Sequence, residues 1–231
     1  MSTGDRQALV KALLGKIEEA RGAPDARLPG ERELASSFGA SRSSVREVLG
    51  VLEALRVIER RPQSGIYLRP GSSDASLEAL VLQEAVDVRS PTAAYEQAQE
   101  ARVIHEVEAV RLAAKRRTAA DLSALQVIIG ESRRSLRQGR NLADDDEAFH
   151  LALIAAAKNP ILSRIAKSLY LMTRSVRRAY FAAPGAAENS IEEHERILAS
   201  VAQRDNERAA RLMKKHYVGA SARWKKTHAA M

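Results

Sequence analysis

A chain of 231 residues with 45% apolar side chains is not disordered, and with only 4% aromatics its core must be built from Ala, Leu, Val and Ile, as in helix-on-helix packing. The absence of cysteine excludes disulfides and thiolate chemistry and fits a reducing cytoplasm. No apolar run approaches the roughly 20 residues of a membrane span, the N-terminus lacks the apolar region of a signal peptide, and a net charge of +8 suits a polyanionic partner.

In chain order, Leu9, Leu13, Leu14 and Ile17 fall at helical spacing and predict a helix over about Thr3–Arg21. Gly22–Gly30 breaks it. A short helix over Glu31–Phe38 ends at Gly39, and Ser41 caps the next, Arg42 to about Leu55, whose inward stripe is Val45, Leu49 and Leu52. VIERRPQSGIYLRP then reads as two short strands around the turn Pro62–Gly65. The polar segment Gly71–Ser76 is a linker, and everything beyond it is helical in pattern. Helices are expected at Ser76–Val88, Thr92–Arg117, Ala119–Gln138, Asp144–Lys158, Pro160–Phe181, Ser190–Arg204 and Asn206–Lys226. The expected fold is mainly α: an α+β winged helix-turn-helix over residues 1–70, a linker over 71–76, and an all-helical bundle of six or seven helices over 77–231.

The head carries the first functional signal. Arg42 and Arg46 stand at i and i+4 at the start of the second short helix, beside the small donors Ser43 and Ser44, and Arg32 opens the helix before it. Arginine suits both guanine edges and phosphates. A generic basic hairpin with a solvated charged face would read the same way. The stretch LPGERELASSFGASRSSVREVLGVLEALRVIERRPQSGIYL resembles the N-terminal domain of GntR-family bacterial transcription regulators from Leu28 to Leu68. Gly30 departs from that family's usual Ser, a substitution worth a few tenths of a kcal/mol at a helix cap. The resemblance implies double-stranded DNA as partner, a pseudo-palindromic operator read by a homodimer, contacts from Arg32, Arg42 and Arg46, and Gly65 at the wing tip. It also implies a cytoplasmic, nucleoid-associated place in a bacterial cell.

The second signal lies in the helical body. Three of the five histidines, His150, His194 and His216, fall on apolar stripes of three separate helices, and Asp146 precedes His150 by one turn. Asp plus three His is a plausible shell for a divalent ion, with zinc first and nickel or manganese as alternatives; a hydrogen-bonded core cluster is the plainer reading. The same positions resemble the FCD ligand-binding domain of the FadR-like branch of that family, through ARVIHEVEAVRLAAKR, DEAFH, NPIL, EEHERIL and MKKHY. This resemblance covers about Leu77–Tyr217. It implies that Asp146, His150, His194 and His216 hold a metal that anchors a small carboxylic acid effector.

Arg102 is the expected partner of the effector carboxylate, set against an i,i+4 pair with Glu106. Tyr170, Arg174 and Arg178 share a helix face and are candidate pocket residues, or ordinary surface. His105 and His228 are expected in solvent, Trp224 in packing or at an interface, and Asn159 as the cap of the helix opened by Pro160. The leading expectation is a ligand-responsive transcription regulator that is not an enzyme, acting as a repressor by the family's commoner mode. The alternatives are a metal-dependent enzyme on a small carboxylate, or a constitutive DNA binder with a structural metal. The enzyme lacks an obvious general base, because Glu193 and Glu195 are expected to point away from the His194 face.

Overall fold

The computed structural model describes residues 3–20, 26–69, 75–86 and 91–228. The chain forms two compact units, residues 1–91 and 92–231.

In the first unit, α1 (Thr3–Ala20) presents Leu9, Leu13, Leu14 and Ile17 to a core shared with Leu34 of α2 (Glu31–Ser37), Val45, Leu49 and Leu52 of α3 (Arg42–Ala54) and Ile58. Gly30 stands at the cap of α2 without a side-chain bond, and its carbonyl accepts from Leu34 N. The turn into α3 passes through Gly39 at φ +60, a conformation glycine takes at no steric cost. Ser41 then caps α3, its hydroxyl accepting from Ser44 N at 3.1 Å. Three strands, β1 (Arg27–Leu28), β2 (Ile58–Arg61) and β3 (Gly65–Leu68), pair antiparallel in the order β1-β3-β2, with Arg61 opposite Gly65 at the wing tip. The two-residue β1 was not expected from sequence. It is too short for a period-2 pattern and forms only because β3 offers it an edge.

The next helix, α4 (Leu77–Ala85), also belongs to this unit, whereas the sequence assigned it to the body. Its inward Ala79, and Val86 just beyond it, join the head's core, and Gln83 donates to Glu18 of α1 at 3.3 Å. Most of the expected linker, Gly71–Asp74, lies outside the described residues.

Among its described residues the second unit is a bundle of seven helices: α5 (Pro91–Arg116), α6 (Ala119–Arg137), α7 (Ala143–Ala155), α8 (Pro160–Met172), α9 (Arg174–Tyr180), α10 (Ala186–Ala202) and α11 (Asn206–His228). Thr118 and Asp121 form a reciprocal capping box at the start of α6. Asn159 caps α8, with Pro160 at its first position, as expected. Phe149, Leu125, Leu153, Ile197, Val201 and Met213 fill the core. The one long helix expected over Pro160–Phe181 is two. Buried Thr173 turns its hydroxyl back onto the Leu169 carbonyl at 3.1 Å, and its backbone leaves helical values at φ −114, ψ 11.

Candidate functional site

In the head, Arg32, Arg42, Ser43 and Arg46 are exposed and Ser44 is half-buried at the start of α3, where the hydroxyls of Ser43 and Ser44 each lie 2.8 Å from the capping Ser41 hydroxyl. Arg46 donates Nε and Nη2 to the Glu31 carboxylate at 3.0 and 2.8 Å. That bond, with the nearby charges of Arg46, Arg60 and Arg42, holds the Glu31 carboxyl below its usual range. Arg61 of β2 stacks over Tyr67, 4.2 Å from the ring centroid. Gly65 has φ +136, a region open essentially to glycine alone, and an added Cβ would meet Arg27 Nε at 2.7 Å. The side chains expected to face DNA therefore share one unit, and the wing tip needs its glycine.

In the bundle, α7 supplies Asp146 and His150, α10 supplies His194 and α11 supplies His216. The four are buried, with one ligand-type atom from each lying within 4.8 Å of the others. His150 Nε2 and His194 Nε2 are 3.2 Å apart, and Asp146 Oδ1 lies 3.6 and 3.5 Å from them. Bonds of about 2.0–2.1 Å around a tetrahedral ion place neighbouring donor atoms about 3.3 Å apart, so Asp146, His150 and His194 already stand near the spacing of a zinc-sized ion, and His216 completes a set that spans up to 4.8 Å. Phe149 stacks on His194 with centroids 3.9 Å apart and fixes the plane of that ring.

Around the four residues lies a second set of contacts. Glu106 of α5, fully buried, meets His150 Nδ1 at 2.6 Å and accepts from the Tyr170 hydroxyl at 3.0 Å, from the Tyr217 hydroxyl, and from Arg102 Nε at 3.4 Å. Glu193 meets His216 Nδ1 at 2.7 Å. Each carboxylate takes the Nδ1 side of its imidazole and leaves Nε2 to face inward, the arrangement that fixes metal-binding histidines elsewhere. Burial pushes the Glu106 carboxyl up, but His150 and Arg102 more than offset it and hold it at about 2. Burial pushes His150 down, while Glu106 and Asp146 lift it to about 9. His194 lies well below its usual value, because burial and the charges on His150 and His216 all disfavour its protonation.

A small cavity of about 30 Å³ adjoins the cluster, lined in part by Arg102, Asp146, Arg177, Ser190, His216 and Tyr217. It has room for about two waters. Arg102 is as buried as expected of a pocket arginine, but it is already committed: Nη1 donates to Gln99, Nη2 to Tyr217, and its guanidinium lies 3.9 Å from the Tyr170 ring centroid. Arg102 thus both lines the cavity and makes the i,i+4 pair with Glu106. Tyr170 is fully buried, and its hydroxyl reaches Glu106.

Arg174 and Arg178 do not reach the cavity. Their side chains are 55% and 54% exposed and face Asp144 at 3.8 and 3.3 Å. Beyond the break at Thr173, Arg177, unmarked by the sequence, turns inward on the side of Tyr170. It is 4% exposed, stands 3.8 Å from Asp146, and its Nε has no hydrogen-bond partner among the described residues. Glu193 corrects a second expectation, since it turns to His216; Glu195 points outward to Arg133, as expected. His105 is half-buried rather than in solvent. The side chains of Trp224 and His228 lie outside the described residues.

Among known proteins, residues 6–68 match the family model "Bacterial regulatory proteins, gntR family", and residues 97–219 match the FCD domain. The chain is 33% identical to the HTH-type transcriptional regulator LutR of Bacillus subtilis over 201 residues, 84% of this chain and 89% of that one. It is 24% identical to the galactonate operon transcriptional repressor of Escherichia coli over 210 residues, 90% and 92% of the two chains. Of solved structures, Lar, which controls the expression of the Listeria monocytogenes agr system, shares the fold with a TM-score of 0.65 at 23% identity, covering 98% of each chain. No helix among the described residues is long and apolar enough to cross a membrane.

Proposed function

This chain belongs to the GntR family of bacterial regulatory proteins, with an FCD domain behind its winged helix-turn-helix, and is a DNA-binding transcription regulator rather than an enzyme; on that premise we propose that it is a repressor whose operator affinity is set by a small carboxylic acid held at a divalent metal in the bundle. The observation that carries the reading is the meeting of buried Asp146, His150, His194 and His216 within 4.8 Å, beside a cavity shared with Arg102 and Arg177. Zinc suits the ligand set best, and nickel or manganese could replace it. When bound, the ion supplies a Lewis-acidic anchor for a carboxylate. The chain's own part is to strip the anion of water, to fix His150 and His216 through Glu106 and Glu193, and to balance the anion's charge with Arg102 and Arg177.

In the head, Arg32, Arg42 and Arg46, with Ser43 and Ser44, face the DNA, and Gly65 lets the wing tip turn. A homodimer reading a pseudo-palindromic operator in the cytoplasm completes the reading. It is supported by Ile104 of α5 and Ile161 of α8, which remain 66% and 59% exposed on helices whose Ala109 and Ala166 share a small core cluster with Ile154 of α7. Effector and operator then change each other's affinity by the same factor.

The cavity holds about two waters, so an acid must widen it. That same closure suits a second reading, a structural ion in a constitutive DNA binder. A thermal-shift screen of small carboxylic acids, run on metal-loaded and chelator-treated protein, separates the two. An acid at 100 times its Kd should stabilise the loaded protein by about 2.7 kcal/mol and leave the chelated protein unmoved. Stabilisation by metal alone, with every acid silent, selects the structural ion.

A further inference from the structure

We propose that Glu31 is a positioning residue for DNA readout, holding the Arg46 guanidinium by one edge so that its other edge is presented to the bases. The inference rests on reading Arg46 as a base-contacting residue. It starts from an oddity of charge. Glu31 lies among Arg46, Arg60 and Arg42, on the surface expected to meet a polyanion, where a carboxylate is repelled by every phosphate.

Its contacts explain its presence. Both Glu31 oxygens accept from Arg46 Nε, at 3.2 and 3.0 Å, and one also accepts from Nη2 at 2.8 Å. This occupies the Nε–Nη2 edge of the planar guanidinium. Nη1 carries no hydrogen bond among the described residues, so the Nη1–Nη2 end keeps the fork that fits guanine O6 and N7. Arg46 is 60% exposed and otherwise free to sample many rotamers, whereas Glu31 is 22% exposed at the start of α2, where the helix terminus favours a carboxylate. Arg60 Nη1 approaches the same carboxylate at 4.0 Å while its Nε and Nη2 engage Glu53 at 2.7 and 2.6 Å, so Glu31 also ties the recognition helix to the wing. A pair this exposed adds little to stability. Its consequence is the direction of one side chain.

The test uses the full chain and two DNA probes, a duplex selected from a random-sequence pool by the wild-type protein and a scrambled duplex of equal length. Binding is followed by fluorescence anisotropy from low to moderate salt for the wild type, Glu31→Gln, Glu31→Asp, Arg46→Ala and the double variant E31Q/R46A. Glu31→Gln should bind scrambled DNA at least as tightly as the wild type, yet lose about tenfold in the selected-to-scrambled ratio. Removing the negative charge of Glu31 from the DNA-facing surface should also steepen the slope of log K against log salt by about one. Glu31→Asp keeps the charge but withdraws the carboxylate, so it should lose the ratio without steepening the slope. In the Arg46→Ala background the Glu31 change should cost no further ratio. A ratio unchanged in both Glu31 variants, or an equal loss with Arg46 absent, overturns the proposal. Separately, an Arg46→Ala protein with an undiminished ratio removes Arg46 from base readout, and the proposal falls with it.

Discussion

Replacing Glu106 by Gln changes one buried charge and almost no volume, which makes it a sharp test of how the bundle's polar core is balanced. Glu106 is 1% exposed and Arg102 3% exposed. Without the carboxylate, Arg102 keeps Gln99 at 2.9 Å, Tyr217 at 2.7 Å and the Tyr170 ring, but loses its nearest counter-charge. His150 loses its charged acceptor at the same time. Removing one partner of a buried pair costs about 3–5 kcal/mol. The glutamine oxygen can still accept from the tyrosine hydroxyls, so the lower end, about 3 kcal/mol, is expected. For a protein of this size that is a fall of about 6–12 °C in Tm. Urea unfolding of metal-free protein, followed by circular dichroism, measures it. The pH dependence follows from the depressed carboxyl: folded Glu106 titrates at about 2, below the unfolded value of 4.5, so its contribution is complete above about pH 5 and fades as pH falls toward 2. The gap between wild type and variant should narrow below pH 4.5, and, because Glu106 also helps lift His150 to about 9, it should shrink again as pH rises from about 6.5 toward 9. A loss under about 1 kcal/mol at pH 7 would refute the reasoning, since it would mean that Arg102 needs no counter-charge.

Three further outcomes are expected. His194→Ala should lower divalent-metal affinity at least a hundredfold by isothermal titration while leaving operator affinity of the effector-free protein unchanged; metal binding at full strength would remove His194 from the ligand set. Gly65→Ala should destabilise the head by about 1–3 kcal/mol, because φ +136 suits only glycine and the new Cβ meets Arg27, and a neutral result by urea titration would show that the wing tip can rearrange freely. Asp121, held at about 2 by its bond to Lys158 at 2.6 Å and by the Thr118 cap, contributes stability that is present above about pH 4 and lost as pH falls toward 2; Asp121→Asn should cost about 1 kcal/mol at pH 7, after solvent screening, and nothing near pH 2.

What could be read from the sequence depended on period and on local chemistry. The stripes Leu9–Leu13–Leu14–Ile17 and Val45–Leu49–Leu52 are dense enough to place α1 and α3 on one core, and Ser41 and Asn159 announce their caps because their bonds stay within three residues. Asp146, His150, His194 and His216 stand out because polar residues on apolar stripes need a reason. Glu106 shows in sequence only its i,i+4 pair with Arg102, and Arg177 shows nothing, since their other partners come from other helices. The break at Thr173 is also hidden, because a buried threonine bonding back to its own chain looks like any helical threonine in sequence. Glu193 was misread because its neighbour His194 claims the inward face, yet the long glutamate reaches sideways to His216 on α11. The start of α10 at Ala186 was hidden by Gly185, whose φ of +74 turns the chain directly into the helix rather than prolonging the loop.

The most direct test is operator affinity measured in four states: metal-loaded or chelated, each with and without the acid that the thermal screen identifies. A metal-centred sensor predicts that the acid weakens operator binding of the loaded protein by about 5–150-fold and does nothing to the chelated protein. Equal affinity in all four states would contradict it and leave a DNA-binding protein with a structural histidine cluster.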